Sequence, residues 1–157
     1  MIWLFSLLAF AQEPTSVDTQ VVIPGPYAPN ADYFSDPDAL RDLYAQLGKA
    51  CAWTGRIRHL QLDRARVAIV LAEIEGHGQD TVVFSYGQVL RTPTPQTPED
   101  VEQMKREAFP LTLEMLLAIP AAAEAAVQAN PTETVVESVA LTGIVMEPRM
   151  EITLLHP

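Results

Sequence analysis

Apolar residues recur along the chain with two periods, and the change of period marks its elements. Asp36 can cap a helix with its carboxylate, Pro37 suits the first helical position, and Leu40, Leu43, Tyr44 and Leu47 follow at one-face helical spacing until Gly48. A short amphipathic helix is expected there. The period then drops to two. "ACAWTGRIRHL" sets Trp53, Gly55 and Ile57 against Thr54, Arg56 and Arg58; "RVAIVLAEIE" is apolar and β-branched on both faces; "TVVFSYGQVL" alternates Val82, Phe84 and Tyr86 with Val83 and Ser85. With "EGHGQD" as the loop between the second and third runs, this reads as a three-stranded antiparallel meander.

"TPTPQTP" ends the sheet, and the helical period returns. Thr97 is a cap, Pro98 takes the first position, and Glu99 and Asp100 sit where the helix dipole favours anions. Pro110 and Pro120 divide this stretch into expected pieces at 98–108, 111–119 and 121–129, closed by Asn130 and Pro131. Leu113, Leu116 and Leu117 form an apolar stripe, read as the face that packs on the sheet. The last run, "ETVVESVALTGIVMEPRMEITLLHP", gives two more strands, with "MEPRM" as their turn.

The start of the chain follows neither period. Ile2 to Phe10 is uncharged and apolar, and Ala9, Phe10 and Ala11 make an A-x-A pattern, so residues 1–11 read as a secretory signal peptide. The run is far shorter than the roughly 20 residues a membrane-spanning helix needs, and no later stretch reaches that length without a charge or a proline. Residues 12–34 carry Pro14, Pro24, Pro26 and Pro29, which predicts an extended tether; "QVVI" within it offers an edge strand as the other reading. That leaves 35–157 as a single domain of an exported, periplasmic or secreted protein.

Charge narrows the partners. The formal net charge is -10, yet residues 51–91 alone carry +1, against -4 before them and -7 after. Proteins that hold nucleic acid by bulk charge are basic overall, so a nucleic-acid role is open but not favoured. The single cysteine, Cys51, excludes an internal disulfide and any cysteine-based metal cluster, and its neighbours Ala50, Ala52 and Trp53 mark it as a small buried residue. Phosphate-loop, nucleophile-elbow and zinc-helix motifs are all missing. Glu73, Glu75 and His77 form the best polar cluster, but Gly76 and Gly78 place His77 in a turn, which reads as a solvated strand end. Neither a cofactor nor a metal site is expected, and binding rather than catalysis is the expected activity.

With the first helix set aside, the predicted order is β-β-β-α-β-β. It resembles the OB-fold, a five-stranded antiparallel Greek-key barrel whose helix lies between strands three and four. The local patterns "LGKACAWTGRI" and "ALTGIVMEPRMEITLLHP" resemble its first and its last paired strands, with a glycine inside each. The expected fold is therefore mainly β or α+β, with a preceding helix and a long helical insertion between strands 3 and 4. That insertion exceeds a single helix, and an α+β sheet with helices on one side is the rival arrangement.

The resemblance implies a ligand face flanked by the loops between strands one and two and between strands four and five. Arg56, Arg58, Arg64 and Arg66 would border the first loop, and Arg149 would sit beside the second. Five guanidinium groups at one rim would make a binding module for an anionic ligand, a peptide or an extended protein segment. The alternatives are an envelope structural or protein-interaction domain using the helical insertion, a single-stranded nucleic-acid binder, or a set of solvated strand ends with no ligand at all.

Overall fold

The computed structural model describes residues 20–22, 32–75, 78–130, 132, 134–144 and 147–156. The expected export signal, most of the expected tether and His77 lie outside these residues. The elements run β1 (Gln20–Val22), α1 (Pro37–Ala50), β2 (Trp53–Asp63), β3 (Ala68–Ile74), β4 (Gly78–Ser85), β5 (Gln88–Pro93), α2 (Pro98–Glu107), β6 (Phe109–Pro110), α3 (Leu113–Leu117), α4 (Ile119–Gln128), β7 (Val135–Ile144) and β8 (Glu147–Leu155).

Local chemistry explains the helix starts. The Asp36 carboxylate accepts from the Asp38 N–H at 2.9 Å, and Thr97 and Asp100 form a reciprocal capping box at α2. Leu40, Leu43 and Leu47 bury one face of α1 completely or nearly so. Gly48 does not end that helix, which continues to Ala50. The stretch after the meander does divide into three helices, but the second break falls at Ala118, and Pro120 lies in the first turn of α4, where no intrahelical N–H is required.

All strands join one antiparallel sheet in the order β1-β5-β4-β3-β2-β7-β8, with β6 paired beside the first half of β2. The buried positions of β3 alternate strictly, Ala68, Val70, Ala72 and Ile74 facing inward. That face meets Leu60 and Leu62 of β2, Val82 and Phe84 of β4, and the buried sides of α1 and α3 in one hydrophobic cluster. The helix α2 touches both β4 and β7, although β3 and β2 lie between them, so the sheet bends around its end.

The expected barrel is not closed. Among the described residues β1 and β8 are the two outer strands and do not pair with each other. The cause lies in the run expected as one third strand. Tyr86 and Gly87 adopt φ of 49° and 76°, a two-residue hairpin turn, and "TVVFSYGQVL" folds back on itself as β4 and β5. The outer edge of β5 is then covered by β1, at Gln20↔Arg91 through Val22↔Val89. The meander edge that a closed cylinder would have to join to the last strand is thus already occupied.

Two further expectations shift. Gln20–Val22, the first three residues of "QVVI", form an edge strand, and Tyr33 is only 1% exposed in the core, so the domain draws on residues assigned to the tether. "MEPRM" is not the last turn: Ile144 already pairs with Glu147, and Pro148, Arg149 and Met150 lie within β8. Proline is tolerated there because β8 is an edge strand, where an N–H can be spared.

Candidate functional site

The sheet separates the five arginines instead of gathering them. Arg56 and Arg58 lie in the first half of β2, well before the turn that the sequence led us to expect beside them. Arg56 faces the end of α2, where the last helical carbonyls lack intrahelical donors. Its guanidinium donates to the Ala108 carbonyl at 2.7 Å and lies 3.4 Å from the Glu73 carboxylate. Arg58 Nε donates to Glu107, whose other oxygen accepts from Gln103 at 2.8 Å. The Gln103 hydrogen bond, aided by the Arg58 charge, holds the Glu107 carboxyl below the usual glutamate range. Both arginines therefore fasten α2 to the sheet.

Gly143 completes that contact. A Cβ there would fall 1.7 Å from the Glu107 carbonyl oxygen, so only glycine lets α2 approach β7 so closely. Gly55 answers a different need: φ is +84°, nothing lies near the position of a Cβ, and the register of β2 shifts around it.

Arg149 pairs in register with Thr142 of β7, which lies opposite His59, whereas Ser138 lies opposite Asp63. Four residues of strand, roughly 13 Å, therefore separate the level of Arg149 from the start of the β2–β3 turn. Its side chain is exposed and lies 3.2 Å from Glu151 of its own strand.

Arg64 and Arg66 remain together, in the β2–β3 turn at the end of the sheet away from α2. The turn is closed by the Asp63 carboxylate, which accepts from the Val67 N–H at 3.0 Å, while Arg66 adopts φ of 66°. The Arg64 backbone donates to the Glu137 carbonyl at 2.9 Å, fixing the turn against β7. Its guanidinium has no hydrogen bond or ion pair among the described residues.

Both arginines line a cavity of about 450 Å³ with Asp32, Phe34, Val127 and Thr134. Its acids are engaged locally: Asp32 accepts from the Phe34 N–H at 3.0 Å and from the Ser35 hydroxyl at 2.6 Å. Thr134 is different. It is 6% exposed, and its hydroxyl oxygen has no hydrogen-bond partner among the described residues. Buried polar groups are normally paired, and an unmatched one costs about 1–3 kcal/mol.

A second cavity, about 660 Å³, adjoins the first, shares Phe34, Val127 and Val136 with it, and is lined along α4 by Pro120 and Ala123. It lies over the alanine-rich α4, whose side chains are short. Two polar residues on its rim, Glu124 and Gln128, hydrogen-bond each other at 2.9 Å.

Other candidates are spoken for. Burial pushes the Cys51 thiol up to about 11, with Arg91 and Asp80 opposing each other, so it is no nucleophile at neutral pH. Glu73 accepts from Thr54 at 2.8 Å in addition to facing Arg56. His59 contacts the Thr142 hydroxyl at 3.2 Å. Among the described residues no group of three His, Cys, Asp or Glu side chains is placed to hold a metal ion, and no helix is long and apolar enough to cross a membrane.

No family model matches the chain, and neither the curated proteins nor the solved structures contain a match. The groove was not legible in the sequence, because Phe34, Arg64, Val127 and Thr134 are brought together only by the fold. The alanine run of α4 was its one local sign.

Proposed function

We propose that the chain is a non-enzymatic binding module that takes an anionic partner in the groove beside Arg64. The observation that carries this reading is one uncommitted guanidinium on the same cavity as a buried, unmatched hydroxyl. A carboxylate or phosphate oxygen would satisfy both. The rim is narrower than five arginines would have made it. Arg56, Arg58 and Arg149 have acidic neighbours of their own, so no continuous positive track exists for a polyanion, and support for nucleic-acid binding falls accordingly.

The OB-like relation is retained as part of the proposal. The strands β2, β3 and β4 are consecutive, and β7 returns by a long connection to lie beside β2, an arrangement that supports a Greek-key order. The Arg64 turn corresponds to the loop between strands one and two of that fold, one of the two that border its ligand face. Export, on the strength of Ile2–Phe10 and the A-x-A pattern, would place this binding outside the cytoplasm. A structural role for the leucine stripe finds less support, since Leu116 is fully buried in the core.

The test is amide chemical-shift mapping of the full chain at low salt during titration with acetate and with inorganic phosphate. Saturable shifts at residues 63–67 and 134–136, abolished in Arg64→Ala, are expected. Shifts that are absent, or unchanged in that variant, refute the reading.

A further inference from the structure

We infer that the ligand is a single-chain amphiphile, a medium-chain alkyl carboxylate, with its head group at Arg64 and Thr134 and its tail in the cavity along α4. The inference rests on the anion-binding reading above and adds the apolar half of the site.

Continuity is the first reason. The polar and apolar cavities adjoin, with Phe34, Val127 and Val136 in the lining of both, so a molecule anchored at Arg64 has an apolar cavity beside it that reaches Pro120 and Ala123. Each compartment lies within the roughly 300–1,000 Å³ typical of small-molecule sites, which are mostly apolar with a few orienting polar groups. Charge is the second reason. A single uncommitted guanidinium, with Asp32 and Asp63 nearby and a net charge of -10, suits one negative charge better than several.

The character of the apolar walls is the third. An extended peptide would bring backbone N–H and C=O groups that need partners. Along α4 the available polar side chains are few, and Glu124 and Gln128 already engage one another. An alkyl chain makes no such demand. Thr134 then gains a function, because its residue lines the head-group cavity and its hydroxyl, without a partner among the described residues, would turn to donate to the head group.

Calorimetric titration of the full chain with acetate, octanoate, decanoate, dodecanoate and dodecanol, each below its micelle threshold, tests this. Affinity should rise about fourfold for each methylene buried, the ratio corresponding to its transfer free energy. Dodecanoate binding should weaken at least tenfold in Arg64→Ala and in Ala121→Trp, the latter filling the tail cavity from an exposed position of α4. Thr134→Val should weaken dodecanoate while circular dichroism stays unchanged, which separates the head-group contact from a folding defect.

If dodecanoate binds no more tightly than acetate while acetate remains Arg64-dependent, the tail site is refuted and the anion reading survives. If neither binds, both fall. Dodecanol matching dodecanoate, equal binding in Ala121→Trp, or tighter Arg64-dependent binding by a peptide with an apolar C-terminus would each overturn the amphiphile assignment.

Discussion

Arg56 and Arg64 stand eight residues apart, roughly 25 Å along one strand and its turn, and the fold uses the same side chain in opposite ways. At the Arg56 end the guanidinium meets helix carbonyls and a carboxylate, and nothing is left over for a ligand. At the Arg64 end the backbone is fixed and the side chain is not, so the charge borders a cavity that holds another unmatched polar group. A cluster of like charges in sequence is thus not a patch in space. A strand distributes its residues along its length, and neighbouring elements decide which of them are consumed.

The sharpest way to break this comparison is at Gly143. Placing a methyl group against the Glu107 carbonyl forces the end of α2 away from the sheet, so Gly143→Ala should cost about 3 kcal/mol, seen as a lower urea midpoint. A loss below about 0.5 kcal/mol would mean that α2 is not held where described. Next in size is the contrast between the arginines themselves. Arg56→Ala strands the Ala108 carbonyl and Glu73 and should cost roughly 1–2 kcal/mol, while Arg64→Ala should stay within about 0.5 kcal/mol of the parent. Equal costs in the two variants would erase the distinction.

The smallest effect concerns pH. Glu107 has its carboxyl pKa lowered by Gln103 and then by Arg58, so its contribution is complete above the ordinary glutamate range and is lost as pH falls through the depressed value. Glu107→Gln should therefore lower stability slightly at neutral pH and flatten the acid side of the curve below about pH 4, where the parent loses the same contribution. A flattening on the alkaline side would contradict the assignment.

Helix starts were readable because capping is local: Asp36, Thr97 and Pro98 carry their instructions within one turn. Strand identity was readable from alternation, as in β3. Turns were less so. Tyr86–Gly87 lacks the Asn-Gly or Asp-Gly pair that usually marks a two-residue hairpin, and the solvent exposure of Tyr86, 72%, emerges only with the fold. Pro148 imitated a turn because an edge strand and a loop accept proline for the same reason, a dispensable N–H. Closure could not be read at all, since it depends on whether β1 reaches β5, a pairing between segments almost seventy residues apart.

The arginine segment was correctly singled out as a concentration of positive charge, but its partition required partners invisible in it: Ala108, Glu107 and Glu151 for three arginines, and Thr134 for the groove. The most direct test of that partition is to follow the arginine Nε–Hε resonances of the full chain by two-dimensional NMR as dodecanoate is added. The account predicts a saturable shift of the Arg64 resonance, with those of Arg56, Arg58 and Arg149 unmoved. Concerted shifts of all four, or none at Arg64, would contradict it.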